Sequence, residues 1–251
     1  MKTYEKILNF VLPVVTVAII VCAWAVAAKA TANSLIMPTV SETFAKTFSL
    51  FSSKEFYAAY FGTLLRTLAA FAFCFAVALA TAILSYKYEL AERALLPLVV
   101  IVRVLPTVAV VLILVLWTNS RTAAIAVTSL VVFPTLYENL YASFKRIDDD
   151  LIEMCKVFGI KRRKVFSKVI LPSVAPDAIA AAGAGITLDL KLMVAAEVLA
   201  HTPASLGFLL NTSKEYFETA EMTALVLITV VTGLLIGLIF WRLSAKARKG
   251  V

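Results

Sequence analysis

The sequence contains little charge for its length, and long stretches contain none. Only 16% of the 251 residues are Asp, Glu, Lys or Arg, whereas soluble globular domains carry about 25%. Hydrophobic residues make up 61% of the chain, and they occur in long runs rather than in the spaced pattern of an amphipathic surface helix. This composition excludes a soluble domain and predicts an all-α integral membrane protein.

Metal-binding and disulfide-forming residues are also scarce. The sequence has one histidine, His201, and three cysteines, Cys22, Cys74 and Cys155, with no C-x-x-C pair. Zinc sites and disulfide frameworks need several such residues at defined spacing, so we expect neither. A phosphate-binding G-x-x-x-x-G-K-[ST] loop is absent from the sequence as well. We therefore expect this chain to bind no nucleotide, metal or other cofactor itself.

Long apolar runs divide the chain into candidate membrane spans. About 20 apolar residues cross the hydrocarbon core of a bilayer. Three runs of that length carry no charge, and three more are interrupted by charged residues. The six predicted spans are Ile7–Ala28, Thr67–Tyr86, Ala94–Trp117, Thr122–Tyr141, Val174–Leu199 and Met222–Trp241. We expect residues 1–251 to form one transmembrane domain with a hairpin at about residues 145–172.

The basic residues are unequally divided between the two sides that six spans define. Sixteen Lys and Arg residues fall on the side of both termini and the hairpin, and six on the other. This clustering at span ends fits membrane orientation better than nucleic-acid binding, and it predicts cytoplasmic termini and a cytoplasmic hairpin. The first run has 22 uncharged residues. The apolar region of a secretory signal has only about 7–15 residues, so we expect a retained helix.

A short segment after the first span has its own helical pattern. Phe44, Phe48 and Phe51 follow one another at i, i+4 and i+7, with Ser41 as a candidate N-cap. This spacing is typical of a short helix lying on the outer membrane surface. An ordinary connecting loop is the alternative.

The hairpin is far more charged than the sequence around it. Seven of the twenty residues from Glu153 to Pro172 carry a formal charge. Asp148, Asp149 and Asp150 suit a helix N-terminus, and Gly159 suits a left-handed C-terminal residue. Between them one helical face is apolar, formed by Leu151, Met154, Cys155 and Phe158.

A second helix is expected to follow Gly159. It begins with the basic tetrapeptide Lys161–Lys164, places Val165, Phe166, Val169 and Ile170 on one side, and closes at Pro172. A basic start opposes the helix dipole, so the cluster needs another explanation. A plain topology signal, anionic lipid headgroups and a soluble protein partner are the three possibilities.

The hairpin resembles the EAA loop of binding-protein-dependent ABC importer permeases. That loop reads E-A-A, three residues, G, nine residues, I-x-L-P. Glu153, Gly159, Leu171 and Pro172 match it at the correct spacing, whereas Met154 and Cys155 replace the alanines and Val169 replaces the isoleucine. Four other segments resemble the nitrate/sulfonate/taurine subgroup: MPTVSETF, VRVLPTVAVVLILVLWT, FPTLYENLYASFKRID and MVAAEVLAHTPASLGFLL.

The resemblance implies a six-helix type I ABC importer permease fold in a bacterial inner membrane. It also implies a second permease copy (or a paired non-identical permease), two cytoplasmic ATPase subunits that bind ATP, and an extracytoplasmic solute-binding protein. The chain itself would be no enzyme. Its hairpin would couple to the ATPase through Glu153, Met154, Cys155, Phe158, Gly159, Leu171 and Pro172. Nitrate, sulfonates, taurine, bicarbonate and vitamin precursors are all compatible solutes.

Several charged residues fall inside the predicted spans, and four of them are candidates for the solute path or for pairing within the membrane: Arg103, Asp189, Lys191 and Glu197. Such residues usually pair, face a bundle interior or line a watery path. Arg103 matches the family pattern and suggests a structural role, whereas Asp189 and Lys191 stand where relatives are apolar or aromatic. The same four residues could form the relay of an ion-coupled secondary transporter, which is the alternative function. A membrane-embedded enzyme is disfavoured, because no cluster of catalytic residues occurs in the spans.

Overall fold

Helices account for almost all of the protein. A computed structural model describes residues 2–248, with side-chain positions from residue 11 onward. Within these residues the elements are α1 Lys2–Thr31, α2 Val40–Leu50, α3 Lys54–Lys87, α4 Glu89–Val104, α5 Thr107–Trp117, α6 Ser120–Lys145, α7 Asp149–Val157, α8 Arg162–Val165, a π-helical turn Phe166–Ile170, α9 Leu171–Ala200, α10 Leu206–Glu215 and α11 Thr219–Arg248. The predicted all-α class is confirmed.

Helices α3, α6, α9 and α11 form the core of the bundle. The Ser85 hydroxyl and the Tyr137 hydroxyl are 2.9 Å apart, and the Cys74 thiol donates to the Ser129 carbonyl at 3.3 Å. The contacting positions rise together along both helices, so α3 and α6 run in the same direction. Because α3 and α6 are parallel, the segment of chain between them has to return across the bundle.

Helices α4 and α5 make that return, and they do so with a sharp bend. Their axes meet at 94°, because Pro106 lacks a backbone N–H and disfavours helical geometry at Leu105, which adopts φ −60° and ψ 129°. The prediction of one helix over Ala94–Trp117 is therefore wrong. Five single helices are long and apolar enough to span a membrane, and there are six spans if the bent pair counts as one.

Helix α1 stands at the edge of the bundle. Only 6% of its apolar stretch within Val11–Thr31 is buried in the protein. The Trp24 indole N–H donates to the Pro38 carbonyl, 3.1 Å away and just before α2. Apolar surface left exposed on such a helix suits lipid. Helix α2 forms as predicted, but its N-cap is not Ser41: Thr39 caps it through a capping box with Glu42.

The contact between α9 and α11 depends on a glycine. A Cβ atom at Gly183 would lie 2.4 Å from Cβ of Phe240, closer than real carbon atoms approach. At Gly233, in the same interface, a Cβ atom would meet Thr187 Cγ2 at 3.6 Å, an ordinary contact. Both glycines are helical, yet only Gly183 is required by packing.

We expect Gly183→Ala to destabilise the bundle by about 1–3 kcal/mol, the usual cost of overpacking a core. Gly233→Ala should be neutral or slightly stabilising, because alanine favours helix by about 1 kcal/mol over glycine. Thermal unfolding in mild detergent measures both. Equal midpoints for the two variants would show that this interface is not tightly packed.

Candidate coupling hairpin and intramembrane charges

The turn of the hairpin has the geometry that its sequence predicts. The Asp148 carboxylate accepts the Asp150 N–H at 3.0 Å and caps α7. At the other end Gly159 has φ +67°. Its N–H donates to the Lys156 carbonyl at 2.9 Å, and the Ile160 N–H donates to the Cys155 carbonyl at 3.1 Å. These two bonds make a Schellman motif, which confirms Gly159 as the left-handed helix terminator.

The predicted apolar stripe of α7 is partly buried in the core of the chain and partly exposed on its surface. Cys155 is 4% exposed and lies in the core of the chain itself, so its side chain faces away from any partner, contrary to the expected docking role. Met154 and Phe158 point outward, 50% and 75% exposed, and Val157 joins them at 80%. We call Met154, Val157 and Phe158, together with the exposed Glu153, the hairpin knob. Sequence reasoning missed Val157 because it lies off the i, i+3, i+4, i+7 pattern.

The second helix of the hairpin does not close at Pro172. Instead α8 continues through the π-helical turn into α9, and Pro172 lies at the start of α9. Pro172 has no backbone N–H, so a regular helical hydrogen bond is missing at this point. The π-helical turn just before it is wider than an α-helical turn, with the Leu171 N–H donating to the carbonyl of Phe166, five residues earlier. This wider turn accommodates the proline. Leu171 is partly exposed beside it.

The apolar side of this second helix behaves as predicted. Val165 and Ile170 are buried, and Phe166 and Val169 pack against the same core. The four basic residues Lys161–Lys164 remain exposed. The hairpin therefore shares a buried apolar core with α6 and α9, while its knob and its basic residues stay accessible.

Charged side chains tie the base of the hairpin to the end of α11. Asp177 accepts from Arg146 at 2.8 Å and from Arg248 at 3.2 Å, and the Ser244 hydroxyl donates to the Pro176 carbonyl at 2.9 Å. The last turn of α11 thus lies at the same end of the bundle as the hairpin. Lys2, Lys6 and Lys249, counted in the charge bias, lie outside the residues whose side chains are described.

At the opposite end of the bundle, Glu197 is fully buried and makes three contacts. Its carboxylate accepts from Arg66 Nε at 2.7 Å, from the Thr63 hydroxyl at 2.8 Å and from the Gly207 N–H at 3.4 Å. Arg66 also donates to the Ala204 carbonyl at 3.0 Å. One carboxylate therefore joins α3, α9 and the start of α10.

The backbone comes unusually close around this carboxylate. A Cβ atom at Gly207 would lie 2.4 Å from Cβ of Glu197, and one at Gly62 would lie 2.5 Å from the Ala204 carbonyl oxygen. Glycine is thus required at both positions by the close approach of neighbouring chain segments. The sequence analysis counted Glu197 among the charges inside the spans, and it began the second span at Thr67, which left Arg66 outside it. The missed signal is the i, i+3 pair Thr63 and Arg66 on one face of α3.

The remaining intramembrane charges are not brought together. Arg103 pairs with Glu138 of α6, and both side chains are about half exposed on the surface of the bundle. Asp189 is fully buried, and neither of its oxygens has a hydrogen-bond partner among the described residues. Lys191 is exposed in a groove between α9 and α11. These separate positions give no support to an ion relay through the four residues.

A second ionic cluster lies between α2 and the start of α11. Lys46 Nζ is 3.0 Å from Glu218 and 2.9 Å from Glu221. Hydrogen bonding to the Glu221 and Glu218 carboxylates raises the pKa of Lys46 above its usual value. The hydrogen bond with Lys46 lowers the pKa of Glu218. This cluster holds the surface helix α2 against the bundle.

The chain belongs to a known family of membrane transport proteins. Residues 72–246 match the family described as binding-protein-dependent transport system inner membrane component. The matched region includes the hairpin, Asp189, Lys191 and Glu197. Several apolar helices and this family assign the chain to the multi-pass membrane proteins.

Individual relatives have low sequence identity to this chain, but their alignments cover much of it. The riboflavin transport system permease protein of Chloroflexus aurantiacus is 28% identical over 59% of this chain, and the match spans 57% of that relative's length, less than two thirds. A Bacillus subtilis permease named for aliphatic sulfonates transport is 25% identical over 92% of this chain and 83% of its own. A chain of a bacterial alginate ABC transporter, solved with an alginate pentasaccharide-bound periplasmic protein, has the same fold, with a TM-score of 0.67 and 15% identity over 98% of both chains.

We expect Glu197→Gln to destabilise the bundle strongly. The substitution leaves the Arg66 guanidinium, only 12% exposed, without its counter-charge, and breaking a buried pair costs about 3–5 kcal/mol. Detergent melting measures the loss, and Arg66→Gln added to Glu197→Gln should recover part of it. The control is Glu89→Gln in the exposed Glu89–Arg93 pair, which should cost less than about 1 kcal/mol. Equal effects of the two single variants would show that Glu197 is not a special anchor.

Proposed function

We propose that this chain is the transmembrane permease subunit of an ATP-driven ABC importer. The single observation that carries the proposal is the hairpin knob, an exposed apolar surface at one end of a membrane bundle, within a hairpin whose family spacing is intact. Large apolar side chains exposed to water mark a surface for another protein. The family to which the chain belongs supplies the setting of a binding-protein-dependent transport system.

A protein partner fits the knob better than a lipid surface does. The exposed side of α7 carries Asp149 and Glu153 beside Lys156 and Val157, which together line a shallow surface pocket. Anionic lipid headgroups attract basic residues and repel carboxylates. A surface that mixes acidic, basic and apolar side chains suits instead the groove of a cytoplasmic ATPase, with Glu153 opposite a basic residue.

The hairpin is built to transmit motion into the bundle. Cys155 and Ile152 from α7, and Val165 and Ile170 from the second helix, pack into the same core as α6 and α9. Asp177 links the start of α9 to both Arg146 and Arg248. Because packed interiors deform little, displacement of the knob by an ATPase moves α6, α9 and α11 together.

The exposed ion pair supports a second membrane subunit. Arg103 and Glu138 are 52% and 46% exposed on the outside of this chain, at the level of the spans. Charged groups facing hydrocarbon are costly, and they usually face another helix or water. A second copy of this chain would cover them, and a paired non-identical permease would fill the same role.

The proposal also includes the orientation of the chain in the membrane and the class of its solute. From the basic bias we infer that the hairpin, the end of α11 and both termini are cytoplasmic. In this orientation the Glu197 end faces a solute-binding protein outside an inner membrane. The relatives named for riboflavin and for aliphatic sulfonates indicate a small organic or anionic solute. ATP binds to the partner ATPase subunits, and this chain holds no cofactor.

Purification from native membranes with Phe158→Asp tests the coupling surface. Phe158 is largely exposed, so the variant should fold normally, while a charge in the middle of the knob should reduce the co-purified ATPase at least about tenfold, the effect of losing 1.4 kcal/mol at an interface. The ATPase is identified by its phosphate-binding loop and its ATP hydrolysis.

The matched control is Leu90→Asp, an equally exposed apolar residue on α4, outside the hairpin. It should retain the ATPase. The proposal fails if the ATPase remains with Phe158→Asp, or if none accompanies the native chain under conditions that preserve other membrane complexes.

A further inference from the structure

Two grooves meet along the contact between α9 and α11. The larger, about 730 Å³, runs from Thr187 to Leu199, and the smaller, about 560 Å³, runs from Ala180 to Thr187 and on to Arg248. They share Thr187. From Ala180 to Leu199 α9 rises about 29 Å at 1.5 Å per residue, close to the roughly 30 Å of a bilayer's hydrocarbon core. The joined grooves therefore extend across the depth of a membrane.

Lys191 is the single charged residue that lines the larger groove. No carboxylate among the described residues lies within ion-pair distance of its ammonium group, since none of their ion pairs includes Lys191. Lys191 lies nine residues before the end of α9, about 14 Å along the helix, so it is too deep for its side chain to reach the surface easily. An unpaired ammonium group facing lipid at this depth is strongly unfavourable, so water or a ligand should occupy the groove.

The chemistry of the groove selects the ligand. Its walls are apolar apart from Lys191 and the hydroxyls of Thr187 and Thr229, and both hydroxyls already donate to carbonyls of their own helices, at 2.8 and 2.9 Å. The ammonium group is therefore the free hydrogen-bond donor of the lining. A small molecule with one anionic group and an apolar body complements this surface, whereas a cation or a neutral polar molecule does not.

We propose that the groove between α9 and α11 is the path of the transported solute and that Lys191 binds its anionic group, which makes the solute an organic anion. The inference rests on the proposed function, because a path requires transport. An anionic lipid headgroup has the same chemistry, but headgroups lie at the membrane surface rather than midway along a span.

The relative reaction rates of oppositely charged thiol reagents test the proposal. Thr187→Cys places a thiol in the groove one helical turn from Lys191, about 6 Å away. Cys22, the exposed native cysteine, is replaced by serine, and Cys74 and Cys155 are buried. The complex with its ATPase, in vesicles of zwitterionic lipid at low salt, is treated with anionic sulfonatoethyl or cationic trimethylammonioethyl methanethiosulfonate.

We expect the ratio of anionic to cationic reaction rates to fall about tenfold when Lys191→Met is added. A unit charge about 6 Å away in water attracts the anion and repels the cation about threefold each. Lys191→Arg should keep the ratio. Ile20→Cys, on the outward surface of α1, should react with neither reagent, because charged reagents do not enter lipid.

Three results overturn the inference: no reaction at Thr187→Cys, a ratio that Lys191→Met leaves unchanged, or a reaction that anionic lipid in the vesicles blocks. The last result would assign Lys191 to a lipid headgroup. The proposed function is decided separately by whether the ATPase accompanies the same preparation. If the groove is charge-selective but no ATPase accompanies the chain, the assignment of Lys191 as an anion-binding residue holds and the proposed importer function is wrong.

Discussion

The buried carboxylate of Glu197 holds together the end of this bundle that lies opposite the hairpin. It joins α3 through Arg66 and Thr63, and it joins α10 through the N–H of Gly207. Without Arg66 the carboxylate would be a lone charge in a dry interior, and without Glu197 the guanidinium would be one. The chain segments around the pair approach so closely that no side chain fits at Gly62 or Gly207.

The same constraint explains the other charges in the spans. A charged side chain in hydrocarbon needs a partner, water or a second subunit. Arg103 of α4 pairs with Glu138 of α6. Lys191 finds no partner within the described residues, and its groove is the place where a solute would supply one. Asp189 is fully buried, and its carboxylate has no hydrogen-bond partner among the described residues; we have no physical account of its role.

At the other end of the bundle the hairpin combines a rigid base with an accessible tip. Cys155 and Ile170 are buried in the main core, whereas Phe158 and Val157, a few residues away, are exposed. The proposed coupling of ATP hydrolysis to a membrane pathway requires such an arrangement, because force applied at the exposed tip has to reach the core of the bundle.

The sequence alone determined the membrane class, five of the six crossings as single helices, and the hairpin turn, because apolar run length, capping residues and Gly159 act locally. Tertiary structure decided the rest. What packs against each segment decides whether Cys155 faces inward and whether the helix ends at Pro172 or continues past it. The break at Pro106 has a local cause, but apolar run length alone does not reveal it. The pairing of Glu197 with Arg66 joins positions 131 residues apart. No local pattern encodes which distant charge meets a buried one, because that choice follows from how whole helices pack.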